Sequence, residues 1–395
     1  MSKNNENKWV PKLRFPEFQN DRNWENLTLG EIGEPLMCKR IFKEETTPNP
    51  NNGVPFYKIG TFGGAADSYI PIAVYEQYKS KYSFPNIGDI LISASGTIGR
   101  LVIYDGSPAY FQDSNIIWLG HNEKTILNSF LFYSYANLKW QTSDGGVISR
   151  LYNSDFKRMK IHFPQNQKEQ QKIASCLSSL DEVITSESQK LEVLKDHKKG
   201  LLQNLLPQAG ETVPKFRFKE FENSGKWEEK SFEELFEIGN GRDYKHLESG
   251  NIPVYGSGGY MLSVNEFLYD GESVCIGRKG TIDKPMFLNG KFWTVDTLFY
   301  THSFKECLPK YIFYVFQNIN WRNHNEAGGV PSLSKTNIYK IEIHIPKPKE
   351  QQKIASTLSS LDDLITAQNQ KIETLKQHKK GLLQGLFPNV SPLSP

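Results

Sequence analysis

The 395-residue chain carries 47 Lys and Arg against 44 Asp and Glu, a formal charge of +3, with 38% hydrophobic and 23% charged residues. That length implies two or three domains, and the composition is that of a soluble globular protein able to bury compact cores. The near balance of charge excludes a bulk polycation, so any electrostatic footprint must be a local patch. Cys38, Cys176, Cys275 and Cys307 lie far apart without a CxxC pair, which argues against a zinc site or disulfide framework and for a reducing cytosol. The opening MSKNNENKWV has no apolar signal core, and no run of 18 apolar residues occurs. A cytoplasmic protein with no membrane contact is expected.

Residues 1–10 read as a polar tail. Pro11 to Phe18 spells PKLRFPEF, and Trp24 follows six residues later; Pro214 to Phe221 spells PKFRFKEF, and Trp227 again follows by six. The body behind the first opening alternates strand-like and turn-like pieces. GDILISASGTIGR from Gly88 is a β-rich run feeding a glycine turn, with GESVCIGRKGTID from Gly271 as its counterpart. Each body then places an Asp among β-formers, Asp113 and Asp296. An aromatic helix-like segment follows (NSFLFYSYANLKW, PKYIFYVFQNINW), then a Gly-Gly-Val loop at Gly145 or Gly328. A short strand, KIHFP or EIHIP, leads out to Pro164 or Pro346. The order matches while the side chains diverge. Two α/β domains of one fold are therefore expected, because a repeat on this scale sets the architecture before any single residue does.

Both bodies end in the same stretch. Lys168 to Pro207 (KEQQKIASCLSSLDEVITSESQKLEVLKDHKKGLLQNLLP) and Lys349 to Pro388 (KEQQKIASTLSSLDDLITAQNQKIETLKQHKKGLLQGLFP) align without a gap at an offset of 181. The first seam is Ile173, Leu177, Leu180, Ile184, Leu191, Leu194, Leu201 and Leu205, skipping Glu187 and Lys198. The second is Ile354, Leu358, Leu361, Ile365, Ile372, Leu375, Leu382 and Leu386, skipping Gln368 and Lys379. A 3.5-residue repeat marks a coiled-coil helix whose stripe faces a partner helix. At about 1.5 Å per residue each copy would run roughly 55–60 Å. Gly200 and Gly381 each weaken the pattern by about 1 kcal/mol, yet the seam resumes beyond them, so continuous helices are expected. Helix one returns the chain through the Pro/Gly linker PQAGETVP. An antiparallel pair would then carry the bodies at opposite ends of a rod, related by a pseudo-two-fold axis, with Glu187 and Gln368 meeting in a central polar layer that fixes register. The divisions are 1–163 for body one, 164–207 for helix one, 208–345 for body two with its linker at 208–213, 346–388 for helix two, and 389–395 for a tail.

Catalytic signatures are missing. There is no Pro-Pro dipeptide of a base methyltransferase, no GxxxxGK followed by Ser or Thr, no HExxH, no metal-spaced Cys/His cluster, and no Pro-Asp of a metal-dependent nuclease. His162 and His344 occupy matching places between apolar residues, which suits packing better than catalysis. The paired HKKG segments, His197 to Gly200 and His378 to Gly381, read either as solvated charge or as a partner-docking surface.

The openings, the GTIG and GTID turns, the Gly-Gly-Val loops and the two KEQQKIA helix starts together resemble the specificity (S) subunits of type I restriction-modification systems, from Pro11 to Pro388. The resemblance implies that each body is a target recognition domain and that the chain reads a bipartite, asymmetric sequence in double-stranded DNA. It further implies that the chain holds two methyltransferase (M) subunits, joined by motor-nuclease (R) subunits. The chain itself would have no active centre and bind no cofactor or metal, with S-adenosylmethionine, ATP and Mg²⁺ on the partner subunits. The competing readings are a tandem-domain adapter for protein or glycan ligands and an unrecognised hydrolase.

Base edges are read by Arg, Lys, Asn, Gln, Ser and Thr, and phosphates by cations, hydroxyls and backbone N–H groups. In body one the candidates are Lys39, Arg40, Lys43, Ser93, Ser95, Thr97, Arg100, Gln112, Ser114, Asn115, Ser149 and Arg150. In body two they are Arg242, Tyr244, Lys245, His246, Ser257, Arg278, Lys279, Thr281, Thr297, Ser332 and Lys335. Arg278 and Lys279 stand out, because two cations beside a glycine sit where backbone can approach phosphate.

Overall fold

The structure, a computed structural model, describes residues 9–140, 150–208 and 210–388. They fall into two compact units: residues up to 186 together with those from 372 onward, and residues 187–371. Each unit holds one body, part of the helix Gln167–Leu205 (helix one) and part of the helix Pro348–Leu386 (helix two). No helix among the described residues is long and apolar enough to cross a membrane.

Body one closes its start on its end. Strand Glu25–Thr28 pairs antiparallel with Lys160–Phe163, Glu25 opposite Phe163. Thr28 and Glu31 form a capping box that turns the chain into one helical turn, the Thr28 amide donating to the Glu31 carboxylate at 2.7 Å. Behind it an antiparallel sheet runs Glu34–Leu36, Ile116–Gly120, Ile90–Ser93, Leu101–Ile103. The Ile90–Ser93 strand is buried on both faces, as the apolar run Ile90, Leu91 and Ile92 demands. A second sheet adds Gly53–Tyr57, which pairs antiparallel with Tyr69–Pro71 and parallel with Tyr110–Phe111.

Body two repeats this plan. Glu228–Ser231 pairs with Glu342–Ile345, and Ser231 with Glu234 forms the matching capping box. Its main sheet runs Glu237–Asn240, Leu298–His302, Ser273–Gly277, Met286–Leu288. The bodies part company in the second sheet. Body one has the helix Ile72–Lys81, whereas body two has a long hairpin, Ser249–Gly256 with Gly259–Val264. The aromatic segments form helices Asn128–Asn137 and Pro309–Asn318 in the two cores.

The KEQQ starts anchor each helix to its body by the same contacts. Glu169 accepts the Arg14 guanidinium at 2.8 and 2.7 Å, and Glu350 accepts Arg217 at 2.7 Å twice. Gln170 donates to the carbonyls of Pro164 and Thr125 and accepts the Leu127 amide; Gln351 does the same with Pro346, Glu306 and Leu308. All four side chains are sequestered from water, so each polar group requires these partners.

Every seam residue is buried or half-buried, while off-seam Val183, Val193 and Leu364 are exposed. Both helices run unbroken through Gly200 and Gly381. In unit two, Glu187 meets Gln368 and Lys371, and further along Lys198 meets Asp362 at 2.6 Å, so the two helices run antiparallel there. In unit one, Lys379 bonds Asp181, and Leu386 packs with Ile173. Lys198 and Lys379 belong to the HKKG segments and correct their reading: these two lysines turn inward. Each ammonium lies 5.6 Å from a tyrosine ring, Tyr314 or Tyr133, whose hydroxyl bonds the same Asp. His162 is packed edge-on to Trp9 at 4.1 Å, and burial pushes its imidazole down to about 4, consistent with a neutral packing group.

Gln368 donates to the Glu187 carboxylate at 2.6 Å and to its backbone carbonyl at 2.9 Å. Replacing Glu187 and Gln368 together by Leu is expected to raise the unfolding temperature, since apolar groups that fill a seam often exceed the polar pair they replace. It should also loosen register, read as a broadened distance distribution between spin labels at the helix ends. A lower unfolding temperature with an unchanged distribution would contradict this reading.

Candidate nucleic-acid interface

The glycine turn and the loop after Gly-Gly-Val come together in both bodies. Ser95 forms an isolated bridge with Arg150, and Lys279 forms the corresponding bridge with Ser332. Two loops that lie some fifty residues apart in sequence thus build one surface in each body.

In body one this surface collects Arg40, Ser95, Gln112, Ser114, Asn115 and Arg150. Ser95 Oγ donates to Asn115 Oδ1 at 2.8 Å, and Arg150 Nη2 to the Ser114 carbonyl at 3.3 Å. Asp113 binds Arg40 Nε at 2.9 Å and Ser114 Oγ at 3.1 Å. Ser114 sits at φ 57°, in the left-handed region, which lifts the loop sharply beside Asp113. Gln112 accepts the Ile59 amide at 2.9 Å, and Arg100 Nη1 donates to the Phe62 carbonyl at 2.6 Å, tying the turn to a neighbouring loop. Thr97 is exposed at the tip. Lys39 and Lys43 flank Arg40 in sequence and are exposed, Lys39 with its ammonium 5.3 Å from the Tyr82 ring and Lys43 opening a single turn.

Ser93 does not belong to this surface. It is 1% exposed, its hydroxyl donates to the Thr97 carbonyl at 2.5 Å, and it accepts the Arg100 amide at 2.8 Å. Both hydrogen-bonding directions are spent closing the turn, so Ser93 shapes the loop and presents nothing outward. Ser149 lies outside the described residues, as does the Gly-Gly-Val loop at Gly145.

In body two, Arg278, Lys279, Thr297, Ser332 and Lys335 line one cleft of about 600 Å³. The Arg278 and Lys279 amides both donate to the Thr297 carbonyl, at 2.8 and 3.3 Å, and the Leu333 amide donates to the Arg278 carbonyl at 2.9 Å. The backbone of the two cations is therefore fixed, while their side chains are exposed. Lys335 is half-buried and donates to the Ile238 carbonyl at 2.5 Å; burial and the nearby Arg278 lower its affinity for a proton. Gly280, at φ +89°, abuts Ser257, and Thr281 is half-buried beside it. Arg242, Tyr244, Lys245 and His246 form a different group anchored on Trp293, whose indole donates to the Arg242 carbonyl at 2.9 Å and whose ring lies 5.9 Å from that of His246.

Asn240, Asp296, Glu326 and Ser334 also line the cleft and were not among the sequence candidates. Glu326 accepts the Ser334 amide and hydroxyl at 2.8 and 2.7 Å, which hold its carboxyl below the usual range. Asp113 in body one is a further omission. The only sequence signal for it was its place among β-formers, shared with Asp296.

The description "Type I restriction modification DNA specificity domain" matches the chain twice, over residues 21–196 and 224–377. The chain belongs to this family. Its relatives include a putative type I restriction enzyme specificity subunit of Haemophilus influenzae, 49% identical over 160 residues, spanning 40% of this chain and 41% of that protein. The putative MjaX specificity subunit of Methanocaldococcus jannaschii is 25% identical over 94% of this chain and 97% of its own length. The crystal structure of a type I restriction-modification S subunit from M. genitalium shares the fold of this specificity subunit. Its TM-score is 0.65 at 18% identity, covering 97% of this chain and all of that one. A chain from a study of complex assembly and conformational transition of the type I system aligns at a TM-score of 0.55 and 14% identity, covering 93% and 98%.

Proposed function

We propose that this specificity subunit reads a bipartite, asymmetric double-stranded DNA target, with one body on each half-site and the paired helices setting the spacing. The observation that carries the reading is the repeated two-loop surface. The Ser95–Arg150 and Lys279–Ser332 bridges place the same frame in both bodies, while the side chains on it differ. Equal frames with unequal side chains suit two half-sites of different sequence, because direct readout depends on which donors and acceptors meet the base edges. Half-sites about one helical turn apart, 34–36 Å, suit two such readers on one face of a duplex. The helices would also scaffold two methyltransferase subunits and the motor-nuclease subunits. Those partners would carry S-adenosylmethionine, ATP and Mg²⁺, and this chain would contribute recognition without a catalytic centre.

The decisive experiment is modified-base sequencing of DNA methylated by the assembled complex. One asymmetric, two-part motif is expected, and exchange of residues 208–345 for the matching body of a relative should alter only one part of it. Retention on DNA should fall steeply with salt. A complex that neither methylates a discrete motif nor binds DNA at low salt would instead favour an adapter.

A further inference from the structure

The bodies also differ in the packing beside the paired strands Lys160–Phe163 and Glu342–Ile345. In body one, Trp9 stands edge-on to His162 at 4.1 Å, and its carbonyl accepts the Trp24 amide at 3.0 Å. Phe130 and Phe387 complete the aromatic packing nearby, 5.3 Å apart. The repeat aligns KWVPKLRF at 8–15 with ETVPKFRF at 211–218, NSFLFY with PKYIFY, and GLFP with NLLP. Trp9, Phe130, Phe387 and His162 thus become Thr212, Tyr311, Leu206 and His344.

Each aromatic is replaced by a smaller or more polar group, and a cleft of about 1100 Å³ opens where they would stand, lined by Thr212, Leu206, Tyr311, Val315, Ile343 and His344. The Tyr311 hydroxyl in its wall is fully buried and has no hydrogen-bond partner. That hydroxyl has no surface open to the cleft, so it presents nothing to a molecule entering there. The rim is acidic, carrying Glu211, Glu229 and Glu342 against Lys340.

We propose that this cleft is a docking site for a tryptophan-bearing, basic, extended segment of a partner polypeptide. The segment would seat its indole against His344, in the volume that Trp9 fills beside His162 in body one. The chain's own sequence supplies the pattern of such a ligand. Trp9 is flanked by Lys8 and Lys12, charges that complement an acidic rim. An aromatic anchor in a pocket, surrounded by weaker contacts, is the usual organisation of a docking site.

The probe is the peptide acetyl-ENKWVPKLR-amide, a copy of residues 6–14, titrated into the full-length protein and read by saturation-transfer NMR and by the His344 ring resonances. Saturable binding is expected, with none for the Trp→Ala peptide. Thr212→Trp, which supplies the chain's own indole, should weaken binding roughly tenfold or more and raise the unfolding temperature. Glu229→Gln with Glu342→Gln neutralises two exposed rim carboxylates and should weaken binding without lowering the unfolding temperature, which guards against a Thr212→Trp chain that misfolds. Binding that persists in Thr212→Trp, as it would if the peptide merely displaced Trp9 in body one, overturns the proposal. So does equal binding of the Trp→Ala peptide, or no saturable binding. Neither DNA nor other subunits enter the experiment, so its failure leaves the specificity-subunit reading standing.

Discussion

Arg14→Ala is expected to cost about 3–5 kcal/mol of stability, because it strands a carboxylate held wholly out of water. The Arg14 and Glu169 side chains are 8% and 0% exposed and lie 2.7 Å apart. The hydrogen bonds to Glu169 raise the Arg14 guanidinium above its already high value, so it is always charged here. Besides Arg14, Glu169 accepts the Trp24 indole at 3.2 Å. Without the guanidinium, one weak neutral donor would have to stand in for a forked, charge-assisted pair. Calorimetry should show the unfolding temperature falling by about 2–4 °C per kcal/mol for a unit of this size. Arg217→Ala should do the same in unit two, where the side chains are 16% and 3% exposed, with a smaller loss because Arg217 is wetter. The double variant Arg14→Met, Glu169→Leu should recover most of the loss, since an apolar pair leaves no orphan charge. A loss below about 1 kcal/mol in Arg14→Ala, the range of an exposed pair, would show that the contact is superficial.

This ion pair also shows what the sequence could and could not reveal. That Glu169 and Glu350 matter was visible in the identity of the two KEQQ starts, but identity names no partner, and Arg14 lies 155 residues away. The seam was legible throughout, because a 3.5-residue repeat is a local property of one helix. The facing of Glu187 and Gln368 followed from the same repeat. So did the seam positions of Lys198 and Lys379, but not their partners, since Asp362 and Asp181 lie on the other helix and off its seam. Ser93 was misread for a physical reason: a serine at a strand end before a glycine turn looks the same whether it faces outward or caps the Arg100 amide. The cleft around Arg278 was half legible. Its two cations announced themselves beside Gly280, whereas Asn240, Asp296 and Glu326 arrive from three other segments whose convergence is a product of sheet order.

Arg278→Ala is the substitution expected to have the largest effect on target recognition. Its counterpart region in body one uses its cation internally, Arg100 donating to the Phe62 carbonyl, and Lys335 is likewise tied to Ile238. Arg278 differs: its backbone is clamped on both sides, at Thr297 and Leu333, while its exposed guanidinium stands 6.0 Å from the Phe299 ring. A fixed backbone beneath an exposed planar fork suits bidentate recognition, because the preorganised guanidinium loses less entropy per hydrogen bond formed. If Arg278 reads a base edge, its removal should cost about 1–3 kcal/mol, roughly 5- to 150-fold in affinity for the methylated motif, and relax the motif at one position. If it holds a phosphate, the loss should be uniform across sequences and the salt slope should fall by about one. Lys279→Ala provides the comparison, since its ammonium lacks the fork and should show only the second pattern. In both variants co-purification with the methyltransferase should be unchanged if the helices scaffold that partner as proposed, because the altered side chains lie on body two. Wild-type methylation kinetics and an unaltered motif in Arg278→Ala would remove the cleft from the recognition surface and shift attention to the group anchored on Trp293.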